Sequence, residues 1–351
     1  MTPWSICATL TPDKEGAYIH SSIAVDGAPV FGSDSGIHVF STESNKIQKS
    51  IPLQGGCIAL GGASSSGGVY ALCREECNKI DWRSGKVTHK FHGTTGKDYT
   101  ALSHEWDNTV VLGTTTTLRS NGREEEGVLE VWDARKATVP THSYSIHSGD
   151  LTSLAWATLP SIQKVHLLSG GTDGIVNFID PSIMDEEDAV LHTVNVGVSV
   201  AEVVLTSLGS ERPSKRRKVD VEGNEDEGKG TLTVRTDIES VGSWRFLGDG
   251  EEEGFVVKEE LKEVRKEGEI DYVVSLEVER GRMWVGDNQG NLKSRRLPWI
   301  SKKTNETWSL PSGSGHTDIV RTVLYDEQND ICYSGGEDGR IVCWKRRTCM
   351  E

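Results

Sequence analysis

Short runs in which apolar and polar residues alternate, each closed by glycine or aspartate, make up most of this 351-residue chain. The stretch 334–344, SGGEDGRIVCW, shows the pattern. Ser334 ends one run, Glu337-Asp338-Gly339 makes a turn, and the next run sets Ile341 and Cys343 on one side with Val342 and Trp344 on the other. A period of two puts successive side chains on opposite faces and predicts a strand. Asp-Gly between two such runs predicts a tight hairpin, because glycine accepts the positive φ that the turn needs. One acidic stretch, 248–271, is ambiguous: Val257, Leu261 and Val264 have helical spacing where a strand is also wanted.

The offsets recur. SGGTDGIVNFID keeps the same Ser-to-Asp spacing at Ser169 and Asp173, carries Ile179 in the position of Trp344, and has His147 upstream as His316 precedes Ser334. VLEVWDARK keeps Trp132-Asp133, and weaker echoes end at Phe40, Trp82, Trp244 and Arg295. The seven anchors lie 42 to 65 residues apart, and the widest gap holds an insertion. Gly-His, Ser, Asp and Trp at these offsets resemble the WD-repeat, whose unit of about 40–45 residues is one four-stranded propeller blade. That resemblance implies an all-β chain, with residues 1–351 forming a single seven-bladed WD40 β-propeller. The last blade stops after the Trp344 strand and lacks an outer strand of its own. Residues 4–10 alternate (Trp4, Ile6, Ala8, Leu10) and are expected to pair beside 340–346, closing the ring and leaving no free sheet edge.

Composition narrows the partners. A formal charge of −15 argues against a broad nucleic-acid surface, which needs a basic stripe to neutralise phosphates, and suits basic protein segments instead. No apolar run reaches the ~18 residues of a membrane span, and none follows the first ten residues as a signal sequence would. Seven cysteines, an odd number, fit reduced thiols of the nucleus or cytoplasm. The segment 209–230, GSERPSKRRKVDVEGNEDEGKG, is charge-dense and has no aromatic residue, so it is expected to be a disordered insertion between the first two strands of blade five.

Two sets, His147, Ser169, Asp173 and His316, Ser334, Asp338, look like Ser-His-Asp triads. Their repetition favours structure over catalysis, because an enzyme needs one activated nucleophile and not one per repeat. With Trp344 they are expected to be blade-internal hydrogen-bond networks, each buried polar group satisfying another. Cys73, Cys77, His89 and His92 miss the zinc-finger pattern: only two residues separate the histidines, and the VTHKF run reads as a strand. Neither a metal nor another cofactor is expected. Lys215-Arg216-Arg217-Lys218, preceded by Pro213, resembles a nuclear-import signal that an importin reads in extended form, and it predicts location in the nucleus with the cytoplasm as second compartment. Asp185-Glu186-Glu187-Asp188 is an acidic cluster that serves either as a solvated loop or as a dock for a basic peptide. Trp132-Asp133-Ala134-Arg135 matches the Trp-Asp-x-Arg box of substrate receptors that dock on the adaptor of cullin-4 ubiquitin ligases.

Beyond the generic repeat, HSYSIHSGDLTSLAWA and the run Leu167 to Val203 resemble the WD repeat-containing protein 89 family, specifically over 142–203 and at the final blade. The resemblance weakens over 205–310, where the chain carries its own insertions. It implies a nuclear propeller and brings no catalytic residue. The expectation is a non-enzymatic scaffold, monomeric within a larger complex, that binds protein partners and escorts a basic client such as a ribosomal protein or histone. The alternative is the ubiquitin-ligase receptor.

Overall fold

Alternation of the kind seen at 341–344 requires an apolar partner on each side of the sheet, and the chain supplies it by standing its sheets face to face in a ring. The structure, a computed structural model, describes residues 4–12, 17–63, 68–93, 96–118, 124–158, 165–207, 230–247, 254–267, 270–297, 308–310 and 315–346. Seven four-stranded antiparallel sheets form the blades of a β-propeller, as expected. Blade one is Ile19–Val25, Ala28–Ser33, Gly36–Ser41 and Lys46–Pro52, and in blades one to six the chain runs strand by strand from first to fourth.

Blade seven is the exception. Its first three strands are Val320–Asp326, Ile331–Gly336 and Ile341–Arg346, and its fourth is Trp4–Leu10 from the start of the chain. Trp4 pairs with Arg346, Ile6 with Trp344 and Leu10 with Ile341, across one bulge between Ile6 and Ala8. The expected closure is therefore the one found. Trp4 also seals it sideways: its ring lies 5.5 Å from Trp308, and Trp308 lies 5.1 Å from Tyr325. The Arg282 guanidinium sits 4.1 Å from the Trp308 centroid and 4.6 Å from that of Tyr325, a cation–π stack joining blades six and seven.

The core is seven clusters, one per junction between neighbouring blades. Val342 and Trp344 join the cluster facing blade six, while Ile341 and Cys343 join the one facing blade one. The two-sided alternation thus has a direct physical meaning: each side belongs to a different junction. Phe40, Trp132, Ile179, Trp244 and Trp344 all turn toward the preceding blade. Full burial of one such side chain contributes about 1.5–3 kcal/mol.

Blade five is complete despite its insertion. Its first strand, Val200–Ser207, pairs with Gly230–Thr236 to the end, where Ser207 faces Gly230. Gly230 itself belongs to the strand; the rest of the insertion, with Lys215, Arg216, Arg217 and Lys218, lies outside the described residues. Within 248–271, Gly254–Glu263 is the fourth strand of this blade and Val264–Glu267 a 3-10 turn, so the choice left open there falls to a strand. Blade six has the shortest outer strand, Trp308–Ser309. The link between the third and fourth strands of blade four is a one-turn helix, Glu186–Ala189. Among the described residues no helix is long and apolar enough to cross a membrane.

Candidate functional site

Antiparallel blades give the ring two unlike faces. On the upper face lie the turns between second and third strands and the links from each blade to the next. The lower face carries the links from first to second and from third to fourth strand.

The two histidine sets lie toward the upper face, inside blades four and seven. In blade seven, His316 Nδ1 is 3.0 Å from Asp338 and its Nε2 is 2.8 Å from Ser334 Oγ, while the Trp344 indole N–H donates to the same Oγ at 2.8 Å. The chain of donors fixes the tautomer: Nδ1–H donates to the carboxylate, and Nε2 accepts from the serine hydroxyl, which accepts from the indole. Asp338 also accepts from the backbone N–H groups of Thr317 and Arg340. Blade four repeats the set with His147, Ser169 and Asp173 at 2.8 and 3.1 Å, and Ile179 in place of the indole donor. Burial opposes ionisation of Asp173 and Asp338, but the histidine bond and the backbone donors outweigh it and hold both carboxyls below their ordinary value. Ser334 and Ser169 are fully buried, so neither hydroxyl is open to a substrate.

The remaining candidate residues lie toward the lower face. Trp132 is fully buried between blades two and three. Arg135 donates through Nε and Nη2 to both oxygens of Asp133 at 2.9 Å, and this fork with a backbone N–H holds the carboxyl at about 2. The Arg135 side chain is 68% exposed, so the guanidinium keeps a free edge toward solvent. The lower-face links of blades three and four also expose Trp106, Val139 and Met184. In blade four the Asp185 carboxylate caps the short helix through the N–H groups of Glu187 and Asp188, and Glu186 accepts from Ser145 N–H of blade three. Half of the acidic cluster is thus spent on structure, and Glu187 and Asp188 face solvent.

Cys73, Cys77, His89 and His92 do not converge. Cys77 is buried among Tyr70, Phe91 and Trp132, whereas His92 lies on the outer strand near Glu76. Burial pushes the Cys73 thiol up to about 11 and Cys77 well above its usual range. Among the described residues no group of three or more potential ligands could hold a metal ion.

A cavity of about 500 Å³ opens toward the upper face where blades five, six and seven meet, with Arg235, Arg265 and Arg321 among its walls. Glu239 forms part of it from an unusual backbone position. Blades four, six and seven place Gly174, Gly290 and Gly339 at the turn residue whose N–H bonds three residues back, with φ of +77°, +81° and +71°. Blade five makes the same bond from Glu239 N–H to Thr236 O, at φ +60°. A non-glycine residue there costs about 1–2 kcal/mol. In exchange its carboxylate accepts the Val273 N–H of blade six and its carbonyl accepts that of Val264.

No protein-family model matches the chain. It is similar to an uncharacterized WD repeat-containing protein of Schizosaccharomyces pombe, with 23% identity over 229 residues. That match covers 62% of this chain and 62% of the relative, so it leaves more than a third of the relative's length unmatched. It is also similar to WD repeat-containing protein GTS1 of Arabidopsis thaliana, with 25% identity over 297 residues, 81% of this chain and 68% of that protein. The ring of seven blades and these relatives agree. Together they support a WD-repeat protein. A WD-repeat propeller supplies a rigid ring whose loops carry protein–protein contacts, and that general role is what fold and relatives support together.

Proposed function

We propose that this WD-repeat protein is a non-enzymatic nuclear scaffold that escorts a basic client protein, such as a ribosomal protein or a histone. The observation that carries the reading is the formal charge of −15 on a propeller whose Ser-His-Asp sets are buried inside blades. An acidic rigid ring attracts a basic chain at long range and screens its charge against unproductive contacts. Glu187 and Asp188 on the lower face of blade four add local carboxylates that no fold contact consumes. Import rests on Lys215 to Lys218 in the blade-five insertion, read by an importin. Kinship with the WD repeat-containing protein 89 family is part of the same proposal and rests on the run from 142 to 203.

A second reading, the substrate receptor of a cullin-4 ubiquitin ligase, is favoured by one observation: Arg135 is exposed and held by its bidentate pair with Asp133. One affinity purification from nuclear extract, run across a salt series with the wild type and Arg135→Ala, separates the two. The escort reading expects basic clients that leave as salt rises and are indifferent to the substitution. It fails if basic clients are absent or salt has no effect. The receptor reading expects the ligase adaptor with the wild type only. In cells, alanine at 215–218 is expected to move a tagged protein to the cytoplasm, and retention in the nucleus refutes the import signal.

A further inference from the structure

We propose that the cavity shared by blades five, six and seven is a binding site for an acidic peptide segment, whose Asp or Glu carboxylates are taken by Arg235, Arg265 and Arg321. The site goes beyond the escort of a basic client, since it asks for a ligand of opposite charge on the opposite face of the ring.

Three observations meet there. First, three guanidinium groups, from a strand of blade five, the link between blades five and six and a strand of blade seven, line one cavity of about 500 Å³, in a protein whose formal charge is −15. Second, each guanidinium is anchored from one side. Arg235 Nε donates to Glu202 at 3.0 Å, Arg265 Nε to the Asp271 carbonyl at 2.7 Å, and Arg321 to Glu337 through Nε at 2.6 Å and through Nη2. An arginine held by Nε has a fixed plane and retains further N–H donors for a carboxylate, so little ordering entropy is lost on binding. Third, the link that brings Arg265, Val264–Glu267, is a 3-10 turn, and the blade-five turn beside it holds Glu239 in the left-handed region that sibling blades give to glycine. Two local departures from regular backbone therefore flank the cavity.

Charge selects the ligand. Glu239 and Asp271 also line the cavity, and Glu202 and Glu337 pair with Arg235 and Arg321 from behind, so the three guanidiniums meet two carboxylates in the wall and two behind it. That balance suits singly charged carboxylates spaced along a chain better than a doubly charged phosphate, whose second charge would meet Glu239. Val273, Val274 and Val320 give the cavity an apolar part on which the peptide's methylene groups rest.

The test uses the full chain and a fluorescein-labelled hexaglutamate peptide, followed by fluorescence anisotropy. Parallel arms use a phosphoserine peptide and a hexalysine peptide of equal length. Arg265 and Arg321 are exposed, so their joint replacement by alanine leaves the core intact, which an unchanged melting temperature verifies. The expected result is hexaglutamate binding that weakens by about tenfold or more in the double variant and with added salt. Arg83→Ala on the lower face of blade two, where the side chain is 61% exposed, is expected to bind as the wild type does. The proposal is overturned by three outcomes: no hexaglutamate binding, equal binding to the double variant, or tighter binding of the phosphoserine or hexalysine peptide. None of these outcomes touches the nuclear-extract purification, so failure of this site and failure of the escort reading are separable.

Discussion

Blades four and seven keep the repeat, and the junction of blades five and six abandons it. In the first pair, a histidine from the incoming link, a serine on the second strand and an aspartate in the next turn tie three chain segments with neutral and charged hydrogen bonds. At the other junction, the carboxylates of Glu239, from a strained backbone position, and Glu202 accept backbone N–H groups from the first strand of blade six. The regular blades are built for stiffness. The irregular junction instead has a cavity with three arginines and carries Glu239 at the turn where blades four, six and seven have glycine.

The largest effect should come from the regular side. Removing residues 4–10 strips blade seven of its outer strand and takes Trp4 out of the cluster with Trp284, Trp308 and Trp344. Loss of Trp4 alone costs about 3–5 kcal/mol, to which the lost pairing with 341–346 adds. The bare edge of Ile341–Arg346 then offers unpaired backbone groups to other molecules. Size-exclusion chromatography and thermal melting should show aggregation and a much lower melting temperature. An unchanged melt would mean that the ring is not closed by this strand.

A smaller difference sharpens the contrast between networks. His316→Ala leaves Asp338 buried without its main partner and Ser334 without its acceptor, which should cost about 2–4 kcal/mol by chemical denaturation. Asp237, the blade-five residue beside the corresponding turn, is exposed, and Asp237→Ala should change stability by no more than about 0.5 kcal/mol. Equal effects would show that the two junctions are held in the same way.

How far the sequence went follows the same division. Alternation at 341–344 assigned each residue to a face, and the offset from His to Ser to Asp located the blades that carry it. The stretch 254–263 resisted because its pairing is bulged. The register slips between Val241 and Ser243 and again between Ser243 and Trp244, opposite Lys262, Glu259 and Val257. Extra residues on one strand shift apolar positions out of a period of two and toward a spacing of four, which imitates a helix. The cavity was out of reach for a different reason. Arg235, Arg265 and Arg321 come from separate segments, a strand of blade five, the link after it and a strand of blade seven, and nothing local marks them as neighbours. The Arg282 stack on Trp308 and Tyr325 was missed likewise, although three tryptophans and a tyrosine in the closing segments were its only trace.

The smallest expected effect has opposite signs in the two regions. Asp338 and Asp173 have their carboxyls depressed below 3.8 in the fold, so they add stability that is fully present above 3.8 and is lost as pH falls through the lower folded value. Glu239 is raised above 4.5, chiefly by burial, against the Val273 N–H and the nearby arginines, which pull it down. The folded protein therefore holds that proton more tightly than the unfolded chain, and stability gains as pH falls through the raised value toward 4.5. Melting temperature against pH should separate the two contributions. Glu239→Gln should remove the gain on acidification above 4.5 and leave the loss below 3.8, whereas Asp338→Asn should flatten only the latter. If Glu239→Gln instead altered the acid limb, the carboxyl would belong with the blade networks, and the junction would be no less regular than its neighbours.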